Sequence, residues 1–360
     1  MFGDFFEAPA TIVFSQPLSD SLQDSGQTTT TGVISNPAFG GGPRLKISDN
    51  FSPIPRHRIY VQGHHFRNLF ATKYQDNSYD GGIAGDRSVW VTTFGVELLS
   101  IDESYSVELR LPLIAAPSTN NVLSGSFIDN AGSQSSSGSD LANLSLILKH
   151  VLDEGDYHFL SGGIGLTVPT ADDVTGNIGD LNYSVENGTT NIVPFLSVLF
   201  RPRQNLFVQI HAQVDVPLGG DDFNYSEADT FGIPNPQAGS FGTYRESILA
   251  AIDVQIARQF YAPRTTGLIR GMTGVIEFRL TQALNSSGSV VGAAAEDIFA
   301  GEEVEVDFAQ DDPTPTYLNF TFGVQTDFAN EWHLRVGQVV PLIDNNSFTA
   351  ETILQFEKRL

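Results

Sequence analysis

Apolar and polar residues alternate with period two along most of this chain, and this constrains its fold more than any other feature of the sequence. In residues 104–113, Tyr105, Val107, Leu109, Leu111 and Leu113 share one face, while Ser106, Glu108 and Arg110 share the other. A β-strand places successive side chains on opposite faces, so this pattern is the signature of a strand with one apolar and one polar side. The split recurs at 206–216, with Leu206, Val208, Ile210, Ala212, Val214 and Val216 against Gln209, His211, Gln213 and Asp215. At 317–328, Leu318, Phe320, Phe322, Val324 and Phe328 oppose Asn319, Thr321, Gln325 and Asp327. At 88–98, Trp90, Phe94, Val96 and Leu98 oppose Thr93, Gly95 and Glu97, and at 348–358 Phe348, Ala350, Leu354 and Phe356 oppose Thr349, Glu351, Gln355 and Glu357. One segment is ambiguous. Ile248, Ile252, Ile256 and Phe260 have the spacing of a helical stripe, yet Ala250 and Val254 keep period two, and the position in the rhythm predicts a strand.

The connections alternate as well. Short polar turns are expected at Asp102-Glu103, at Asp153-Glu154-Gly155-Asp156, at Arg201-Pro202-Arg203-Gln204-Asn205 and at Ala329-Asn330-Glu331. Between the pairs lie long Gly-, Ser-, Asn- and Asp-rich stretches near 70–87, 115–140, 169–190, 218–243 and 284–315. Roughly twelve long strands with short and long connections taking turns match a transmembrane antiparallel up-and-down barrel, in which tight turns lie at one end and long loops at the other. A soluble sandwich uses strands of about 5–6 residues and has no reason to alternate its loop lengths.

The polar face decides which way such a barrel is turned. Glu97, Glu108, Arg110, Lys149, Gln209, His211, Asp215, Asp253, Glu277, Arg279, His333 and Arg335 lie opposite the apolar positions and are the expected lining of an interior pore. Tilted strands of about 9–11 residues span a hydrocarbon core, and only a closed barrel pairs all of its backbone there. Tyr105, Trp90, Tyr157, Phe200, Phe207, Tyr261, Tyr317, Phe328, Trp332, Phe348 and Phe356 stand near strand ends, where interfacial girdles are expected. The alternative is that these aromatics fill the core of a soluble β-sandwich or barrel.

Composition removes several functions. Lys and Arg number 19 against 42 Asp and Glu, giving a net charge of −23. Nucleic-acid binding is excluded, because neutralising phosphates needs clustered cations. The absence of cysteine excludes disulfides, thiol catalysis and cysteine-ligated metals. No apolar run reaches the ~18 residues of a membrane-spanning helix. Mean hydropathy is −0.07, which by itself would suit a soluble acidic protein. Met1–Glu7 has neither a basic n-region nor an apolar h-region, so the expectation is either a cytoplasmic chain or one whose signal peptide has been removed.

With these strands and connections the chain resembles bacterial outer-membrane β-barrel channels of the porin type. More narrowly, Lys46-Ile47-Ser48-Asp49-Asn50-Phe51-Ser52-Pro53-Ile54-Pro55-Arg56-His57-Arg58-Ile59-Tyr60-Val61 is similar to the segment that leads into the first strand of planctomycete outer-membrane proteins. The resemblance implies an outer-membrane location in a Gram-negative-type envelope, with signal peptide removed, lipid and small solutes or ions as partners, and homo-oligomers as one form. The likeness implies place and fold better than substrate; the acidic loops, which would raise the local cation concentration at the mouth, lead to the expectation of passive diffusion of small polar or cationic solutes. A closed structural or surface-interaction barrel, or a soluble secreted β-rich binding module, are the alternatives. The chain departs from the family at its end: assembly signals finish in an aromatic, whereas here Phe356 is followed by Glu357-Lys358-Arg359-Leu360.

Residues 1–55 are expected to form an extension to a barrel at 56–360. Phe2, Phe5, Phe6 and Ile12-Val13-Phe14 precede a Ser/Thr/Gly/Gln-rich stretch from Ser19 to Gly42, a composition unlike an independent domain. It would either pack beneath the barrel on the periplasmic side or fold into the lumen as a plug.

Within the lumen, Glu108 with Arg110, Glu277 with Arg279, and Lys149 would set ion preference across water or brace the barrel as ion pairs. His64, His65, His211 and His333 are expected to face the lumen or its rim. Asp76-Asn77-Ser78-Tyr79-Asp80-Gly81 has the first half of a calcium loop, but its twelfth position is Arg87 where a bidentate Glu is required. A weak calcium site at Asp76, Asp80 and Asp86 is the remaining expectation there. Asp172-Asp173, Asp221-Asp222 and the acidic run from Glu296 to Asp312 could gather divalent cations or remain solvated. No nucleophile elbow, His-Glu-x-x-His or phosphate-binding glycine loop occurs, so no enzyme is expected and no cofactor beyond loop-bound calcium.

Overall fold

The computed structural model describes residues 10–16, 28–34, 46, 51–67, 88–116, 121–122, 133–134, 138–178, 181–227, 238–263, 267–286, 290–297, 302–309, 316–343 and 348–360. The barrel strands, in chain order, are β1 Arg58–Arg67, β2 Val89–Leu99, β3 Tyr105–Ala116, β4 Leu144–Glu154, β5 His158–Val168 and β6 Thr190–Arg203. They continue as β7 Leu206–Leu218, β8 Leu249–Tyr261, β9 Ile269–Ala283, β10 Thr316–Phe328, β11 Trp332–Pro341 and β12 Ala350–Arg359. Each pairs antiparallel with its neighbours in sequence, and β12 pairs with β1 from Ala350↔Arg67 to Arg359↔Arg58, which closes a barrel of twelve strands. Closure pairs every edge and leaves no unsatisfied ladder. The segment with ambiguous periodicity is strand β8, since its Ile252, Val254, Ile256 and Phe260 all lie on the outer surface.

The short turns at 100–104, 155–157, 204–205 and 329–331 share one end with residues 262–263 and 267–268, which flank β8 and β9. Among the described residues they hold the non-glycine residues of positive φ, Glu103 (59°), Asn330 (62°) and Glu331 (61°), as tight reversals require. In the first of them Asp102 accepts hydrogen bonds from the hydroxyls of Ser100 and Ser104 (2.7 Å to the latter). These bonds favour the charged carboxylate and hold its pKa below the ordinary range.

At the other end the long connections are not bare loops. Val174–Ile178, Leu181–Val185, Asp221–Glu227 and Ala238–Tyr244 form a separate four-stranded antiparallel sheet from the β5–β6 and β7–β8 connections. Val290–Asp297 and Glu302–Ala309 form a hairpin within the β9–β10 connection. The N-terminal hairpin of Ala10–Gln16 and Thr28–Ile34 adds to its edge through Thr11↔Ala309 and Ser15↔Glu305. These stretches differ from the expected loops because their Val, Tyr, Phe and Thr content supports strands despite the intervening Gly and Asn.

The pleat separates two chemistries. Leu109 is 40% exposed and Arg110 is 2% exposed, and the same contrast runs round the barrel. Ile59, Phe94, Leu148, Ile164, Leu196, Ile210, Ile256, Phe278, Phe322 and Leu354 point outward, while the charged positions point in. Aromatics border the outer surface towards the short-turn end, where Tyr105, Tyr157, Phe200, Tyr261, Trp332 and Phe356 are exposed, and Trp90 is exposed at the opposite end of β2. The other aromatics expected in the girdle depart from it. Tyr317 has the parity of Asn319 and is buried inside, Phe207 has the parity of Gln209 and lines an interior cavity, and Phe348 turns inward against Phe66 (centroids 5.5 Å apart). Phe328 is only half-buried at the end of β10.

Gly95 shows how tightly the inner face is packed. It lies opposite Tyr60 in the β1–β2 ladder, and a Cβ built on it would sit 2.0 Å from the Tyr60 ring. The ring covers the glycine, and its hydroxyl reaches Glu108 Oε1 at 2.5 Å. Gly95→Val should displace that ring and cost about 1–3 kcal/mol through overpacking. Urea unfolding in detergent micelles measures it, and an unchanged midpoint would mean that the ring is free to move.

Candidate functional site

Among the described residues, the inner face of the barrel gathers most of the buried charge. Glu97 and Glu108 are direct cross-strand partners on β2 and β3, an arrangement that repels unless cations intervene. Arg58 supplies the intervening charge. Its Nε donates to Glu97 Oε2 (2.6 Å), Nη2 to Glu108 Oε2 (3.1 Å) and Nη1 to Glu357 Oε2 (3.3 Å), and the side chain is fully buried. Lys149 Nζ donates to Glu97 Oε1 (2.9 Å) and Arg110 Nε to Glu108 Oε1 (2.6 Å). The Ser106 hydroxyl completes Glu97 at 2.7 Å. Charge-assisted bonds of this kind are short and directional, and in a dry interior they fix side chains in place.

A second group lies across the lumen. Arg279 and Asp253 are register partners on β9 and β8, joined from Arg279 Nη1 to both carboxylate oxygens at 3.1 and 2.9 Å. Gln255 Nε2 donates to Glu277 Oε2 at 3.1 Å. A third group joins Glu351 of β12 to His64 Nδ1 (2.5 Å) and Lys46 Nζ (3.4 Å). His333 pairs with Asp327 at 2.7 Å.

The residues that precede β1 contribute to the same space. The Phe51 amide donates to the carbonyl of Lys46 at 3.2 Å, and its own carbonyl accepts from Gln209 Nε2 at 3.0 Å. Its ring meets Phe195 edge-on at 4.9 Å and His211 at 4.5 Å, with Lys149 Nζ 4.9 Å from the centroid. Nearer the short-turn end, Arg56 donates to the Ser52 hydroxyl and lies 3.7 Å from Glu357.

Glu97, Glu108, Arg110, Lys149, Gln209, His211, Asp215, Asp253, Glu277, Arg279 and His333 are buried on the inner face, and Arg335 is half-buried there. Glu108 bonds Arg110 as paired in the sequence, whereas Arg279 turns to Asp253 rather than Glu277. Of the histidines, His65 departs from expectation: it faces outward and stacks on Trp90 at 4.4 Å, because its neighbour His64 takes the inner position. Arg58, Tyr60, Gln62, Glu351, Gln355 and Glu357 join the lining. Strand parity identifies them all, and Arg58 falls in step with Gln62 and His64. Nothing in the periodicity marks Lys46 or Phe51.

The lining is not polar throughout. Phe66, Val89, Val91, Ile114, Val339, Phe348 and Ile353 form a buried apolar cluster towards the long-connection end. Leu249, Ala283 and Tyr317 form another on the β8–β10 side. Asp76, Asp80 and Asp86 lie outside the described residues, as do Asp311 and Asp312 of the acidic run, whose other members belong to the strands Val290–Asp297 and Glu302–Ala309. Among the described residues no group of three or more acidic, histidine or cysteine side chains is placed to hold a metal. Asp221 instead accepts from Gly188 N, Thr189 N and Thr189 Oγ1 at 2.9, 3.0 and 2.9 Å, tying two connections together.

The sequence matches no protein-family model and no curated protein. Among solved structures, an outer membrane channel from Pseudomonas putida F1 is 13% identical, with 91% of this chain and 100% of that chain covered, at a TM-score of 0.49. The β domain of the Bordetella autotransporter BrkA is 10% identical over 85% of this chain and 100% of that chain, at 0.47. The Ralstonia pickettii toluene transporter TbuX is 11% identical over 89% and 95%, at 0.45. Likenesses this distant leave substrate and family to be sought in the site itself.

Proposed function

We propose that this protein is an outer-membrane barrel that passes small polar solutes by passive diffusion through a narrow lumen. The observation that carries the membrane reading is the outward band of Leu, Ile, Val and Phe around a closed barrel whose charges point inward, the inverse of a soluble barrel. Short turns would face the periplasm and long connections the exterior, as in other barrels of this kind. Acidic connections would raise the local concentration of cations at the outer mouth, which favours cationic solutes among those that arrive there.

Lys46 and residues 51–57 act in this reading as inserted groups that narrow the path, with Phe51 as their wedge against Phe195 and His211. A closed lumen is the second reading, favoured by the full burial of Arg58, Glu97 and Lys149. Planar-bilayer recording separates the two. Purified full-length protein should give discrete single-channel steps in KCl, and Phe51→Ala should enlarge them severalfold because the Phe51 ring fills lumen space between Phe195, His211 and Lys149. A protein that inserts but carries no current at any voltage is the closed barrel.

A further inference from the structure

Beside the inserted segment, towards the short-turn end, the lumen holds a cavity of about 270 Å³. Phe51, Ser52, Ile54 and Arg56 wall it on one side, and residues of β6 to β12 wall it on the other. Its charge is unlike that of the chain as a whole. Arg56, Arg335 and Arg359 line it, against Asp327 as the carboxylate of the lining. Asp327 already accepts from His333 Nδ1 (2.7 Å) and Gln325 Nε2 (2.6 Å).

The arginines are poorly neutralised. Arg56 and Arg359 both turn to Glu357, at 3.7 and 3.2 Å, and Glu357 also serves Arg58 at 3.3 Å. Glu357 is thus shared by three guanidinium groups, of which Arg58 also holds Glu97 and Glu108. Arg335 donates through Nε to the amide oxygen of Gln325 (2.8 Å), and among the described residues no carboxylate lies within salt-bridge distance of it. A half-buried guanidinium held by a neutral partner retains donors suited to a planar anion, which a carboxylate engages in a two-pronged fork. Gln255, Gln259 and Thr273 add amide and hydroxyl groups to the same wall. Such groups hydrogen-bond to hydroxyls, while Phe51 and Ile54 offer an apolar side.

We infer that this cavity is a binding site for a small hydroxylated carboxylate, seated on the cluster of Arg56, Arg335 and Arg359 in the periplasmic half of the lumen. The volume suits a small organic acid and falls just below the ~300–1,000 Å³ of sites for larger ligands. The inference deepens the proposed channel, since it rests on the lumen being a solute path and names a class of solute that path would hold. It sets an anion-selecting interior behind an acidic mouth, so that arrival and retention would favour different charges.

The test compares gluconate with glucose, which matches it in size and hydroxyls but lacks the carboxylate. Calorimetric titration of the full-length protein in detergent should show gluconate binding and no saturable binding of glucose. R335Q/R359Q should weaken gluconate binding at least tenfold. Should that pair fail to fold, R359Q alone is read in the same way, because Arg359 sits at the more exposed end of the lining. Absence of gluconate binding, equal binding of glucose, or unchanged affinity in a folded variant overturns the site. Gluconate binding by a protein that carries no bilayer current leaves the site standing and removes the channel. Current without gluconate binding does the reverse.

Discussion

Arg58→Ala should lower the stability of the folded barrel by about 3 kcal/mol. Removing one partner of a buried ion pair costs roughly 3–5 kcal/mol, mainly because the other charge is left buried and uncompensated. The low end of that range applies here. Lys149 remains on Glu97 at 2.9 Å and Arg110 on Glu108 at 2.6 Å, so neither carboxylate is wholly abandoned. What is lost is the group between two glutamates that face each other directly across β2 and β3. Urea titration in lipid vesicles, followed through Trp90 and Trp332, measures the change. Adding Glu97→Gln and Glu108→Gln to the alanine variant should recover part of the loss, because it removes the charges that Arg58 separates. Acidification should narrow the gap between variant and parent for the same reason. A cost below 0.5 kcal/mol, the usual bound for a surface substitution, would show that water reaches this network.

Those results bear on how much of the molecule could be read from its sequence. The barrel was legible because its strands are long and one-sided: a period of two over Tyr105 to Leu113 has no helical alternative, and the faces it defines are those the barrel presents. Parity alone also finds the inner residues, including Glu357 and Gln355 on β12. Partners were less legible. Glu277 and Arg279 are close in sequence, yet Arg279 bonds Asp253, because strand register rather than sequence distance brings side chains together. The inserted residues were least legible of all. Lys46 and Phe51 belong to no strand, and Phe51 takes its place from contacts with Phe195, His211 and Gln209, each more than a hundred positions away. The sequence offered a choice between an extension beneath the barrel and a plug, and only contacts of that range bear on it. The girdle aromatics failed where parity was set aside for proximity to a strand end: Tyr317 and Phe207 have inner parity and lie inside.

Leu109→Arg tests the outer face with an effect of similar size. Leu109 lies mid-strand in β3, opposite Val96 on β2 and Leu146 on β4, on the outward surface. At the middle of a bilayer an arginine on the lipid face of a barrel costs about 2–4 kcal/mol, falling to about 0–1 kcal/mol at the interface. Tyr105 provides the internal control. It shares the strand and the face, but it lies about 13 Å nearer the short-turn end at 3.3–3.4 Å per residue, and it stacks on His150 at 4.1 Å. In phospholipid vesicles Leu109→Arg should therefore destabilise the fold far more than Tyr105→Arg. In a soluble barrel both would merely add a charge to a wet surface, and neither would move stability by more than about 0.5 kcal/mol. Equal and small effects would mean that this apolar band meets something other than lipid. A steep dependence on position along one strand has no other simple source, because both substitutions add the same side chain to the same face and differ in depth.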